Sequence, residues 1–374
     1  LILSHIYMLE YIYEHNMETI TALPKPHWIE SETHLSLSHN AMYQLNLLET
    51  TDTTSPYRSL LTLLNTCQTS GGRRLFKRRL LNPLLDPQEL EHRYAQIEAF
   101  QGRTSDNLYL YDRCRHPLKH IRDLERLSRR MSLGLLHPYE FCSLHQSFGY
   151  LWKLVAEIQP VIPDYLTESQ MALDNLQTFQ AHYEGIFQLS ETEKYSLEAM
   201  KTSVFVKGVE PEIDGIHEEL LESHRYLHCI ARTLDAYIDA KKPGSVKLTE
   251  TDRYGWALCM TAKRATTLQN RLRNLTIPSL PLKDGPLYPP CDITELIQSL
   301  KTRGQGKDIH VTLPLIDTIS HTIVSLQKRL CALNKERYIS HLRGLYQDQG
   351  PLLETLTTFV SLIDVNVNLA KSSK

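Results

Sequence analysis

The hydrophobic period of this sequence changes near residue 245, and that change limits what the chain can fold into. From Glu212 to Ala240 apolar residues recur at 213, 216, 220, 221, 227, 230, 234 and 238, which is one face of a long helix. Beyond Lys242-Pro243-Gly244 the pattern becomes alternation. In VKLTETDRYGWALCMT, Val246 and Leu248, then Trp256, Leu258 and Met260, stand between polar or small residues. With Asp252 to Gly255 as a turn, the stretch predicts a β-hairpin, because a period of two puts every second side chain on one face of a strand. Residues 264 to 273 predict a short helix, and a Pro-rich segment follows with Pro278, Pro281, Pro286, Pro289 and Pro290. DIHVTLPL predicts another strand, and from Asp317 to Ala370 the period is helical again. One long helix must lead out to a small mixed tip, and long helices must lead back.

Most of the first 200 residues carry the helical period, as in Leu60, Leu61 and Leu64, in Leu118, Ile121, Leu124 and Leu127, and in Phe141, Leu144, Phe148, Leu151 and Leu154. Breaks fall at Pro24 and Pro26, Pro83 and Pro87, Pro138, and Pro160 to Pro163, since proline drives the residue before it out of helical geometry. The expected fold is mainly α, a long-helix bundle with an inserted small α+β tip carrying a β-hairpin. Expected boundaries are 1–205 for the first part of the body, 206–313 for the outgoing helix and tip, and 314–374 for the returning helices. The opening LILSHIYMLEYIYEH is interrupted by His5, Glu10, Glu14 and His15, short of the roughly 18 apolar residues of a membrane span, so it predicts an amphipathic helix. Its first residue is Leu and not Met, so a piece of a longer polypeptide is expected. The seven cysteines stand at 67, 114, 142, 229, 259, 291 and 331 with no Cys-x-x-Cys pair. Free thiols in an intracellular, reducing compartment are the expectation.

A formal net charge of -2 excludes a chain that is cationic overall, so nucleic-acid contact requires a local concentration of Lys and Arg. Residues 241 to 273 supply one: eight cations (Lys241, Lys242, Lys247, Arg253, Lys263, Arg264, Arg271 and Arg273) against two acids (Glu250 and Asp252). Phosphates attract such a field regardless of base sequence, through counterion release. The candidate DNA-binding residues are Lys241, Lys242, Lys247, Arg253, Lys263 and Arg264; a solvated surface is the alternative.

Other constellations carry less. In CQTSGGRRLFKRRLLNPLLD, residues 67 to 86, two glycines accompany five cations but lack the Gly-Lys-Ser/Thr of a phosphate-binding loop. A helix start fits better, capped by Thr69 or Ser70, with Leu75, Phe76 and Leu80 on one face and the cations on the other. His224 and His228, like His116 and His120, are one helical turn apart but have no evident third ligand, so no metal is expected. RGQGK, 303 to 307, predicts a glycine loop before a strand. Arg122, Asp123, Glu125 and Arg126 predict ion pairing on an apolar-striped helix. No catalytic residues follow from spacing.

Beyond these readings, the sequence resembles the MutS family of DNA mismatch-repair proteins. SLLTLLNTCQTSGGRRLFKRRLLNPLLDPQELEHRYAQIEAF is similar to a central family segment at Thr69, Gly72, Arg73, Leu75, Pro83, Leu84, Arg93 and Glu98. HIRDLERLSRRMSLGLLHPYEF resembles the Asp-Leu-Glu-Arg helix through Asp123, Leu124, Glu125, Arg126 and Pro138, and KGVEPEIDGIHEEL resembles the entry to a long helix through Gly208 and Asp214. VKLTETDRYGWALCMT is similar to the hairpin of the DNA clamp, with Gly255 before an aromatic residue, and FVSLIDVNVNLAKSSK is similar to the last lever helix through Asp364, Leu369 and Ala370. Departures fall at Asn46, where Glu is usual, Cys67 for Thr, Arg79 for an aromatic, and Trp256 for Tyr, which suggests a divergent branch.

The resemblance implies the core, lever and clamp part of a mismatch-recognition ATPase that contacts the duplex backbone. No Gly-x-x-x-x-Gly-Lys-Ser/Thr occurs, so this chain is expected not to be an enzyme by itself. ATP and magnesium are expected to belong to an ATPase domain outside it, in a parent that is a DNA-dependent ATPase and a homo- or heterodimer. No cofactor and no membrane are expected for this chain. The rival expectations are a non-enzymatic helical protein-interaction scaffold and a family member whose activity lies in a fused domain.

Overall fold

The computed structural model describes residues 2–15, 23, 33–48, 59–238, 244, 246–251, 255–273, 279–280, 291–292, 301–303, 308–312 and 314–374. The body is helical. Helices Ser70–Leu81, Pro87–Ala99, Leu110–His120, Leu124–Ser132 and Gln170–Ile186 pack against one 59-residue helix, Pro314–Ser372, here the returning helix, and Pro138–Ile158 packs on Leu110–His120 and Leu124–Ser132. At 1.5 Å per residue it is about 90 Å long. Returning helices were expected, and one unbroken helix is found, with Pro351 inside it. Pro351 removes one main-chain donor, but Leu352, Leu353 and Leu356 beside it are buried and hold the helix against the body. The apolar stretch of this helix is long enough to cross a membrane, yet 67% of it is buried within the protein, as in a core helix.

The outgoing helix, Pro211–Ile238, packs along the N-terminal half of the returning helix. Its entry is built by Gly208, whose φ of +96° lies in the left-handed region and whose N–H donates to Asp214 Oδ2 at 2.7 Å. Ile213, Ile216, Leu220, Leu227, Ile230, Leu234 and Ile238 are buried, as their period predicts, whereas Leu221, the eighth residue of the pattern, lies about 100° around the helix from Leu220 and is 42% exposed.

The tip holds a four-stranded antiparallel sheet in the order β1-β2-β6-β5, formed by β1 (Lys247–Thr251), β2 (Gly255–Thr261), β5 (Lys301–Arg303) and β6 (Asp308–Thr312). β3 (Ser279–Leu280) and β4 (Cys291–Asp292) pair separately. The predicted hairpin is thus half of a larger sheet. Residues 274–278 and 281–290, with most of the Pro-rich segment, lie outside the described residues, as do 304–307 of the RGQGK loop. Helix Ile2–His15 is present and has no buried residue.

Residues 64–72 meet the last turns of the returning helix through buried polar groups. Asp364, 1% exposed on the returning helix, accepts from Gln68 N at 3.0 Å, Thr69 N at 2.7 Å and Thr69 Oγ1 at 2.7 Å. Thr69 caps helix Ser70–Leu81 by accepting from Gly72 N at 2.9 Å. A Cβ on Gly72 would overlap the Asp364 carboxylate, so the close approach requires glycine. One turn along the same helix, Asn368 accepts from Thr66 N and donates to Leu64 O.

Candidate nucleic-acid interface

Both strands of the hairpin are positioned by polar contacts that their own sequences do not announce. Asp235, near the end of the outgoing helix, accepts from Gly244 N at 2.7 Å and Val246 N at 3.0 Å, which turns the chain into β1. Gly244 has φ +99°, a conformation glycine adopts without strain. Trp256 N donates to Ser320 Oγ of the returning helix at 2.8 Å, and the Trp256 ring meets His224 of the outgoing helix edge-on at 5.2 Å. The hairpin is therefore held between the two long helices.

Register sets the rest. Leu248 pairs with Leu258 and Leu258 with Val311, while Met260 pairs with Ile309, so the apolar positions share one face. The neighbouring row reads Lys247, Cys259, His310, Arg303, with a cation at each edge strand. Helix Ala262–Arg273 follows β2 directly and buries Ala265, Leu268 and Leu272 at helical spacing. Lys263, Arg264, Arg271 and Arg273 fall outside that stripe and are exposed, as is Lys247.

Of the six predicted DNA-binding residues, Lys247, Lys263 and Arg264 are therefore exposed on the tip, on β1 and the first turn of the adjoining helix. Lys241, Lys242 and Arg253 lie outside the described residues. Edge-strand residues Lys301 and Arg303 were not among the predicted six. Their spacing around the glycine loop was visible, but their place in the sheet of the hairpin depends on the pairing of β6 with β2 about 50 residues away in sequence, which short-range periodicity does not encode.

The cations of helix Ser70–Leu81 have other duties. Arg73 Nε donates to Cys67 O at 3.0 Å, and Arg74 pairs with Asp123 and Glu125 at 2.7 Å each. Arg79 is half-buried, and loss of water together with the Arg93 charge lowers its pKa to about 10. Lys77 and Arg78 are exposed. The expected pairing of Asp123 and Glu125 thus occurs, with an arginine of another helix as partner.

The histidine pairs sit in aromatic surroundings. His120 stacks on Tyr150 at 4.7 Å, and burial followed by the His228 charge lowers the His224 pKa. Among the described residues no three His, Cys, Asp or Glu side chains converge in a metal-binding group. Cys67, Cys114, Cys142, Cys229, Cys259 and Cys331 are free. Burial pushes the thiols of Cys67, Cys114 and Cys142 up to about 12, leaving them neutral and unsuited to nucleophilic attack. What the tip can do is hold an array of cations against a phosphate backbone.

A family model described as MutS domain III matches residues 40–370. A protein of Acanthamoeba polyphaga mimivirus, named as a DNA mismatch repair mutS homolog, is 27% identical over 99% of this chain and 33% of its own length. The mitochondrial DNA mismatch repair protein mutS homolog of Sarcophyton glaucum is 23% identical over 97% of this chain and 34% of its own length. DNA mismatch repair protein MutS of Macrococcus caseolyticus is 24% identical over 72% of this chain and 32% of its own length. The chain spans about a third of the length of these curated relatives.

Proposed function

Since the chain belongs to the MutS family of DNA mismatch-repair proteins through its domain III, we propose that it forms the lever and clamp of such a protein and grips duplex DNA by the backbone. The observation that carries this reading is the exposure of Lys247, Lys263 and Arg264 on a tip anchored between two long helices. Their charges meet phosphates without reading bases, so mismatch specificity belongs to other parts of the complete protein. The proposed boundaries are those of the sequence: a body to residue 205, an outgoing helix and clamp to 313, and a returning lever beyond. ATP and magnesium would act in a domain outside this chain. The helix packing against both body and tip would carry the nucleotide state between them, as a rigid element with two positions. The complete protein would work as a dimer.

Fluorescence anisotropy of a labelled duplex across a salt series tests the backbone grip. Binding should weaken linearly in the logarithm of salt, be indifferent to a mismatch, and show a slope reduced by about 2 to 3 in K247E/K263E/R264E. Absence of duplex binding at low salt, or an unchanged slope in the variant, would reject it in favour of a protein-interaction scaffold.

A further inference from the structure

Helices Ser70–Leu81 and Leu124–Ser132 and the C-terminal half of the returning helix line a half-open cavity of ≈ 630 Å³. Its wall carries more hydrogen-bond donors than the fold uses. Arg74 is matched by Asp123 and Glu125. Arg78 and Arg129, also in the wall, have no acidic partner among the described residues. The hydroxyls divide in the same way. Ser132, Thr357 and Ser361 each give their proton to a main-chain carbonyl of their own helix. Ser128, Tyr346 and Thr358 have no such bond among the described residues. Among the described residues of the lining, Glu354 is the one acid left uncommitted, Glu125 being paired with Arg74.

Two guanidiniums and three hydroxyls facing one carboxylate call for an occupant that is anionic and rich in acceptor oxygens. A single carboxylate has two oxygens, too few for that set. A phosphate ester has three oxygens and a charge of about −1.5 to −2, enough to outweigh Glu354. The volume lies in the range of about 300–1,000 Å³ typical of small-molecule sites. It is also remote from the tip: Tyr346 lies about 48 Å along the returning helix from Pro314.

We propose that this cavity binds a small phosphorylated molecule, held by Arg78 and Arg129 with Ser128, Tyr346 and Thr358. The site joins three helices at the base of the returning helix and is separate from the cations of the tip. Isothermal titration of the chain with inorganic pyrophosphate at constant ionic strength tests it. Saturable binding to one site per chain is expected. R78Q/R129Q should weaken it by about tenfold or more, through loss of charge-assisted hydrogen bonds, and E354Q should strengthen it by removing a like charge. Arg78, Arg129 and Glu354 are exposed, so these variants should keep the wild-type melting temperature, and K247E/K263E/R264E should bind pyrophosphate as wild type does. No saturable binding at low-millimolar pyrophosphate, or binding that R78Q/R129Q leaves intact, overturns the proposal. A short single-stranded DNA that displaces pyrophosphate with higher affinity per phosphate would also overturn it, by assigning the cavity to a nucleic-acid backbone.

Discussion

Asp364 and Asp123 both brace helix Ser70–Leu81, and their surroundings give them opposite responses to acid. Burial raises the Asp364 pKa above the ordinary 3.8, against the pull of its three donors. A raised value in the folded state means that its contribution is fullest below 3.8 and is lost as pH rises through the raised value. Asp123 is lowered, chiefly by its hydrogen bond from Arg74, so its contribution is present above 3.8 and is lost as pH falls through the lowered value. Urea midpoints across pH should show both. D364N should abolish the component lost with rising pH, and D123N the component lost in acid. D364A should be the more damaging change at neutral pH, costing about 3 kcal/mol or more, because two main-chain N–H groups and a hydroxyl lose their acceptor inside the body. A loss below 1 kcal/mol, by the scale of a single hydrogen bond, would show that water replaces the carboxylate.

At the scale of elements, what the sequence disclosed was local. The outgoing helix was legible because seven of the eight apolar residues in its pattern, all but the exposed Leu221, share one buried face, and the hairpin because Val246, Leu248, Trp256, Leu258 and Met260 alternate. The full sheet was not legible, since β5 has three residues and joins β6, which in turn joins β2 from about 50 positions away. The same limit hid Asp235 and Ser320, whose roles exist only once the long helices stand beside the tip. The basic cluster was legible as composition, but the row from Lys247 to Arg303 needs register. Ser320 allows a test at this scale. S320A leaves Trp256 N–H without its acceptor, so the hairpin should loosen at a cost of about 1–3 kcal/mol. Hydrogen exchange should quicken in residues 247–261 while the body helices keep their protection; unchanged exchange at Trp256 would show that another group takes the proton.

For the molecule as a whole, the returning helix is the common wall of the body, and the contacts that close the core join residues far apart in sequence. A chain ending at residue 350 would lose Leu352, Leu353, Leu356, Phe359, Val360 and Ile363, all buried, together with Asp364. It should lose its cooperative melting transition by circular dichroism; a sharp transition retained by that fragment would mean that the body closes without the final turns. The distance between Thr69 and Asp364, 295 residues, also sets a time. A ribosome adding about 5–20 residues per second needs about 15–60 s to travel it. Leu75 and Phe76 have been made by then, and Val365, which packs with them in the small cluster at this end of the body, has not. The interval of synthesis, more than the finished fold, is when these side chains stand open to association with other chains.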